Sequence, residues 1–168
     1  IFWEELLHRM TERDLVDGRC RDHERVPELR RETNYFFLMS REFGWLRGEI
    51  ESGRYEIRPE RYKNEALAML RDESGLGDLS ISRPKSRLAW GIEIPFDKDY
   101  VTYVWFDALI NYITAPGYLS DEAAFKRWWP ATVHLIGKDI LTTHSIYWTT
   151  MLFSLDIPLP ETIFAHGW

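Results

Sequence analysis

The stretch from His134 to Trp148, HLIGKDILTTHSIYW, constrains the fold most, because a strand pattern changes there into helical spacing. His134-Leu135-Ile136 is typical of a short buried strand, and residues 140, 144 and 148 recur at the spacing of one helix face. A turn between such a strand and helix lies at the carboxyl end of a sheet, where open α/β sheets bind ligands. The sequence therefore predicts a ligand site at Gly137-Lys138-Asp139.

The composition is that of a folded protein whose overall charge does not attract a polyanion. The chain has 168 residues, a net charge of −6 and eight tryptophans. A nucleic-acid partner would therefore need a local basic patch. The single cysteine excludes an internal disulfide framework and fits a reducing compartment, so we expect a cytoplasmic protein. No apolar run approaches the roughly 18–20 residues that span a bilayer, and no membrane partner is expected.

Strand and helix patterns alternate in the second half of the chain, as they do in parallel α/β units. The predicted elements there are a helix over 121–129 capped by Ser120, a strand over 132–136, a helix over 140–154 and a strand over 162–165. Upstream, strands over 90–96 and 101–106 predict a hairpin with its turn at residues 97–99, and a helix follows over 107–113. The residues therefore predict an α/β fold.

The first part of the chain is less regular. A short helix is predicted to start at Thr11 and end at Gly18. Residues 34–39 are either a short strand or the entry to a helix. Ser40 is the expected N-cap of a helix that Gly53 closes, and Pro59 fits the first turn of the next helix.

Gly137 and Asp139 are the candidate ligand residues of the central turn. Glycine lets the backbone approach a ligand closely, and an aspartate just beyond a strand can accept hydrogen bonds from a ribose diol. The alternative is that Asp139 serves only as a helix N-cap.

Aromatic residues form a second candidate group. His144 and Trp148 lie four residues apart on one helix face, and Tyr112 follows Trp105 in an aromatic segment. If the strand lasts to residue 107, Trp105 and Asp107 point the same way. A pocket of Trp105, Tyr112, His144 and Trp148 would suit a thioether, because sulfur packs on aromatic faces and accepts only weak hydrogen bonds. The alternative is ordinary core packing.

Cys20 and His23 have half of a zinc-knuckle spacing. No second pair of this kind occurs in the sequence, and His8 is the other candidate ligand nearby. The alternative is a small exposed cysteine beside a surface histidine.

Several motifs together resemble the methionyl-tRNA synthetases, a family of class I aminoacyl-tRNA synthetases. They are Tyr103-Val-Trp105-Phe-Asp107-Ala, His134-Leu-Ile-Gly137-Lys-Asp139-Ile, His144-Ser-Ile-Tyr-Trp148 and Phe164-Ala-His166-Gly167. The resemblance covers roughly residues 11–168. It implies the second half of a Rossmann-like nucleotide-binding domain over 61–168, with part of the connective insertion over 1–60.

The resemblance also implies substrates and roles. Trp105, Tyr112, His144 and Trp148 would form the pocket for L-methionine, with Tyr112 and His144 as polar contacts to sulfur. Gly137 and Asp139 would bind the adenosine part of ATP, which acts with Mg²⁺. The implied reaction joins L-methionine to ATP as methionyl-adenylate and transfers it to the 3′ end of tRNA(Met). In the whole protein Zn²⁺ could occupy the knuckle, for which this chain offers Cys20 and His23.

The chain departs from the family pattern in ways that predict an incomplete ligase. The His-Ile-Gly-His-type and Lys-Met-Ser-Lys-Ser-type motifs do not occur in it. We therefore assign no catalytic residue and expect that the chain alone does not aminoacylate, because such motifs stabilise the charge that develops on the phosphates. Two alternatives stay open at this point: a non-catalytic binding module on a synthetase scaffold, and a sister class I ligase for an aliphatic amino acid.

Overall fold

The structure is a computed structural model that describes residues 2–5, 8–10, 15–20, 24–26, 28–71 and 76–168. These residues belong to two compact units, Ile1–Asn34 and Tyr35–Trp168. The sequence-based boundary at residue 60 concerns family domains and stays a prediction.

The described part of the first unit contains short antiparallel strands. They are β1 (Phe2–Glu5), β2 (His8–Met10), β3 (Leu15–Val16), β4 (Arg19–Cys20) and β5 (Glu28–Arg30). β1 pairs with both β2 and β5, whereas β3 and β4 form a separate hairpin. The helix predicted to end at Gly18 is wrong at Leu15–Val16, because the hairpin turns there through left-handed Asp17 and Gly18. Residues 11–14 lie outside the described residues.

The second unit contains a parallel three-stranded sheet. Its strands are β7 (Glu56–Arg58), β12 (Val133–Gly137) and β13 (Thr162–His166), in the order β12-β13-β7. Both pairings are parallel, which confirms the α/β prediction for residues 133–166. Side chains alternate along β12, so that His134 and Ile136 are buried while Leu135 is exposed.

Two helices pack against this sheet. They are α1 (Phe43–Ser52) and α2 (Glu60–Arg71), which contact each other, and α2 also contacts β7. Gly53 ends α1 in the left-handed conformation, as predicted. Ser40 does not cap a helix as expected; it lies in a 3₁₀ turn, Met39–Glu42, and its backbone N–H donates to Asp78. The backbone therefore forms a tight 3₁₀ turn immediately before α1 begins.

Short strands lie before α1 and between α2 and the central turn. They are β6 (Phe36–Phe37), β8 (Leu79–Ser80), β9 (Ser82–Pro84), β10 (Glu93–Ile94) and β11 (Asp97–Thr102). β10 and β11 form the predicted hairpin, but its turn is Pro95–Phe96 and not residues 97–99, because Ile94 pairs directly with Asp97. Proline at residue 95 fits the turn better than a ladder position.

The segment after β11 is helical, so the strand predicted over 101–106 is confirmed at Val101–Thr102 and is wrong from Val104 onwards. The helices are α3 (Val104–Ala108), α4 (Asn111–Thr114) and α5 (Glu122–Trp128). Tyr103 is extended, and its carbonyl accepts from the N–H groups of Phe106 and Asp107, which starts α3. The β-rich composition of 101–106 is therefore overridden by these turn bonds. Asp121, and not Ser120, caps α5 by accepting from the Ala124 N–H.

The predicted helix over 140–154 is present, but its centre is wider than an α-helix. A 3₁₀ turn, Lys138–Ile140, leads to a π-helical turn, Thr143–Trp148, and then to α6 (Thr149–Ser154). Single π-turns often mark functional sites in helices. This π-turn contains His144 and Trp148.

A buried chain of hydroxyl groups ties the π-turn to the region of β7. The Thr149 hydroxyl donates to the His144 carbonyl at 3.2 Å, and it lies 3.0 Å from the Tyr55 hydroxyl. Because the Thr149 proton is already used, the Tyr55 O–H is the donor in that second bond. Tyr55 is buried, and burial raises its pKa, so it stays a neutral donor.

None of the helices in the described ranges is long and apolar enough to cross a membrane.

We expect Tyr55→Phe to lower the free energy of unfolding by about 1 kcal/mol, because it removes one buried hydrogen bond without changing the ring. Urea denaturation of the 168-residue chain measures this change. Tyr100→Phe is the matched control, since the Tyr100 ring contacts Tyr35 while its hydroxyl makes no hydrogen bond within the described part of the chain. Equal loss in both variants would contradict a role for the hydroxyl chain.

Candidate functional site

Gly137 and Asp139 lie where the sequence predicted, at the carboxyl end of the parallel sheet. Gly137 is the last residue of β12 and pairs with His166 at the end of β13. A Cβ on Gly137 would lie 2.5 Å from the Asp139 Oδ1 atom. Gly137 has an ordinary φ of −71°, so backbone conformation does not require glycine there, and a Cβ would displace the Asp139 carboxylate from its present position.

The Asp139 carboxylate is exposed beside that glycine. No side chain caps the 3₁₀ turn that contains Asp139 or the π-turn that follows. The alternative that Asp139 is only an N-cap therefore finds no support in the described residues. Its two oxygens remain able to accept hydrogen bonds from a ligand.

Tyr112 and His144 meet in a direct hydrogen bond. The Tyr112 hydroxyl lies 2.9 Å from His144 Nε2, and His144 Nδ1 lies 3.0 Å from the Ile140 carbonyl oxygen. A carbonyl can only accept, so we assign the proton to Nδ1, and Nε2 then accepts from the Tyr112 O–H. The two hydrogen bonds thus run in one direction, from the Tyr112 hydroxyl to His144 and from His144 to the backbone carbonyl of Ile140.

Burial keeps both groups neutral. It lowers the pKa of His144 below its usual 6.5, although the hydrogen bond to the Ile140 carbonyl opposes this shift in part. Burial also raises the pKa of Tyr112 above its usual 10.0. At neutral pH the site therefore presents a phenol and an uncharged imidazole.

Trp148 completes this group from the far end of the π-turn. Its side chain is fully buried, and its ring centroid lies 5.9 Å from that of Tyr112. Its indole Nε1–H donates to His134 Nε2 at 3.2 Å. We name Tyr112, His144 and Trp148, together with His134, the aromatic cluster.

Trp105 is the one predicted pocket residue that the structure does not bring to the cluster. It lies on α3, is half-buried, and has no ring contact with any cluster residue in the described structure. The expectation that Trp105 and Asp107 share a strand face fails, because β11 ends at Thr102. The role of Trp105 in ligand binding stays a prediction.

His134 is a member of the cluster that the sequence analysis did not single out. Its ring centroid lies 4.4 Å from that of Tyr112 and 6.4 Å from that of His144. Burial, with some repulsion from His144, lowers the pKa of His134 to about 4. The sequence already indicated that His134 is buried, because side chains alternate along a strand and residue 134 therefore lies on the same face as buried Ile136.

An apolar cavity beside α5 does not include the candidate ligand residues. It has a volume of about 650 Å³ and is lined by α5 and the preceding loop, including Tyr118, Phe125 and Trp129. None of Gly137, Asp139, Tyr112 and His144 lines it. The cavity is therefore distinct from the candidate ligand residues.

The predicted metal pair of Cys20 and His23 stays a prediction. Cys20 is buried in the β3–β4 hairpin, so the alternative of an exposed cysteine is wrong. His23 lies outside the described residues. Within the described ranges no three His, Cys, Asp or Glu side chains come together to hold a metal ion.

Comparison with known proteins decides the family. The model of the class I tRNA synthetases (M) matches residues 3–168. The chain belongs to this family. The family assignment and the α/β class made from the sequence are thereby confirmed.

Curated relatives extend the match. The chain is 50% identical over 159 residues to a methionine–tRNA ligase of Clostridium acetobutylicum, covering 94% of this chain and 24% of the relative. It is 44% identical over 165 residues to the methionine–tRNA ligase of Deinococcus radiodurans, covering 94% of this chain and 23% of the relative. The chain thus spans about a quarter of the length of these class I relatives.

A solved structure of the family has the same fold. The methionyl-tRNA synthetase of Mycobacterium tuberculosis bound by methionyl-adenylate superposes with a TM-score of 0.79 at 39% identity, covering 95% of this chain and 32% of that one. Its free form gives a TM-score of 0.82 at 38% identity, covering 99% and 34%.

Stability should fall with acidification partly through His134. Its folded pKa of about 4 lies below the usual 6.5, so its contribution is fully present above pH 6.5 and is lost as pH falls towards about 4. When the pH is lowered from about 7 to about 4.5, we expect the free energy of unfolding to fall less in His134→Gln than in the unchanged chain. Urea denaturation at both pH values measures this. The same loss in both proteins would contradict a buried neutral imidazole.

Proposed function

We propose that this chain is the ligand-binding part of a methionine–tRNA ligase. The reaction is the ATP-dependent activation of L-methionine to methionyl-adenylate, followed by transfer to the 3′ end of tRNA(Met). The observation that carries the proposal is that one segment, residues 134–148, joins the Gly137-x-Asp139 turn to the aromatic cluster. The names of the curated relatives and the adenylate bound by the Mycobacterium tuberculosis protein support it.

The aromatic cluster suits the methionine side chain. A thioether is apolar and polarisable, it packs on aromatic rings, and its sulfur accepts only a weak hydrogen bond. Tyr112 offers the donor, since the His144 proton already faces the Ile140 carbonyl. Before methionine binds, His144 Nε2 accepts the hydrogen bond from the Tyr112 hydroxyl and thereby orients it. Trp148 supplies the buried ring, and Trp105 is proposed as a further wall.

The turn at the end of β12 suits the adenosine part of ATP. The Asp139 carboxylate can accept hydrogen bonds from both ribose hydroxyls. Because Gly137 has no side chain, the Asp139 carboxylate can lie beside it. A Cβ at residue 137 would overlap the Asp139 Oδ1 atom. Mg²⁺ would arrive with the triphosphate, whose own contacts we place outside this chain. The described residues do not fit a zinc site.

The chain's residues contribute binding and orientation. Methionine held by the cluster and adenosine held by Asp139 would bring the methionine carboxylate towards the α-phosphate of ATP. Holding two reactants in one geometry removes much of the entropic barrier to their reaction. The bond to the adenylate forms as pyrophosphate leaves, and the charge of that step is stabilised by groups outside residues 1–168. Such a ligase would work in the cytoplasm.

The proposal can be tested in a chimera. In the Clostridium acetobutylicum ligase this chain replaces the matched segment of 159 residues. We expect methionine-dependent exchange of pyrophosphate into ATP, and no exchange with leucine. A chimera that activates leucine as well as methionine would support the sister ligase. One that folds and activates no amino acid would support the non-catalytic binding module.

Tyr112→Phe in this chimera should lower the ratio of kcat/KM for methionine over norleucine about tenfold. Norleucine has a methylene in place of sulfur, so it cannot accept a hydrogen bond from Tyr112, and Tyr112→Phe leaves the aromatic ring in place for both substrates. Tyr118→Phe is the matched control, because Tyr118 packs on Phe125 away from the cluster. A ratio that is unchanged in Tyr112→Phe would contradict the assignment of Tyr112 as the donor.

A further inference from the structure

His134 occupies a central place in the aromatic cluster although nothing in the proposed binding scheme uses it. It is the second residue of β12, lies on the buried face and is 6% exposed. Its ring lies near Tyr112 on α4, near Trp129 after α5 at 6.0 Å, and near His144 in the π-turn. One strand residue thus contacts side chains from three separate segments.

His134 accepts the only hydrogen bond that the Trp148 indole can donate. An indole N–H cannot accept, and a buried N–H without an acceptor is destabilising. Because Trp148 is fully buried, the position of His134 Nε2 fixes the rotation of the indole ring. With Nε2 as the acceptor, the proton of neutral His134 lies on Nδ1.

His134 also packs against the ring of Tyr112. The two ring centroids lie 4.4 Å apart at an angle of 41°. The Tyr112 hydroxyl meanwhile reaches His144 Nε2. Tyr112 is therefore held at its ring by one histidine and at its hydroxyl by another.

We propose that His134 is a positioning residue of the methionine pocket, which it sets by accepting from Trp148 and packing against Tyr112. It acts through these two side chains and does not itself contact the substrate. This inference rests on the proposed function. Ordinary core packing makes a different prediction, because a core residue could be replaced by any side chain of similar volume without a change in substrate choice.

Two substitutions separate the acceptor from the ring. His134→Phe keeps an aromatic ring against Tyr112 but leaves the Trp148 N–H without an acceptor. His134→Gln keeps an acceptor oxygen near the position of Nε2 but has no ring. The measured quantity is the ratio of kcat/KM for methionine over norleucine in the chimera, which does not depend on the fraction of enzyme that is folded.

We expect His134→Phe to lower that ratio about tenfold, since small displacements in a site have large kinetic effects. His134→Gln should restore at least half of the unchanged ratio. In a Trp148→Phe background, which has no indole donor, His134→Phe should change the ratio less than about twofold, because the two residues act as one unit.

Two results would overturn the inference. One is a ratio in His134→Phe within about twofold of the unchanged chimera, which would make His134 an ordinary core residue. The other is an equal loss in the Phe and Gln variants, which would leave the acceptor without a role. If the unchanged chimera does not activate methionine, the proposed function itself fails and this inference fails with it.

Discussion

The His144 imidazole is bound at both nitrogens, and the arrangement of the site depends on this. Nδ1 donates to the Ile140 carbonyl within its own helical turn, and Nε2 accepts from Tyr112 on α4. The carbonyl of His144 is bound as well, by the Thr149 hydroxyl that Tyr55 supports in turn. Because burial keeps the imidazole neutral, it holds a phenol without adding charge to an apolar pocket.

The π-turn explains how one segment can present both an exposed carboxylate and a buried aromatic cluster. A strand ends at Gly137, a tight 3₁₀ turn exposes Asp139, and the wider turn Thr143–Trp148 directs its side chains into the buried cluster. The carboxylate therefore faces solvent at the sheet edge, while the imidazole and indole lie inside. Rigid strand and helix backbone on either side would fix the spacing between the two groups.

Much of this could be predicted from the residues. The short apolar runs before Gly137 and at residues 162–165 predicted parallel strands, and the spacing of His144 and Trp148 predicted their shared environment. Tyr112 was grouped with them because it follows Trp105 in an aromatic segment, and the family resemblance then implied the same group. These features depend on local patterns and on motif identity, which a sequence shows directly.

Other features depend on contacts that a local pattern does not contain. Val104–Ala108 has the composition of a strand, yet hydrogen bonds to the Tyr103 carbonyl make it helical. The side chain of Trp105 therefore does not have the orientation that a strand predicts. The π-turn keeps the apolar spacing of an ordinary helix, so its hydrogen-bond shift leaves no mark on that spacing. His134 was visible as a buried strand residue, but its partner Trp148 is defined only once the helix folds back on the sheet.

A crystal structure of the chimera with methionyl-adenylate tests the central claim most directly, namely that residues 134–148 bind both halves of this intermediate. We predict a ribose hydroxyl at about 2.7 Å from an Asp139 oxygen, and the methionine sulfur in contact with the Tyr112 hydroxyl and the Trp148 ring. An adenylate whose ribose is bound by other residues, or whose sulfur lies outside the aromatic cluster, would contradict the account.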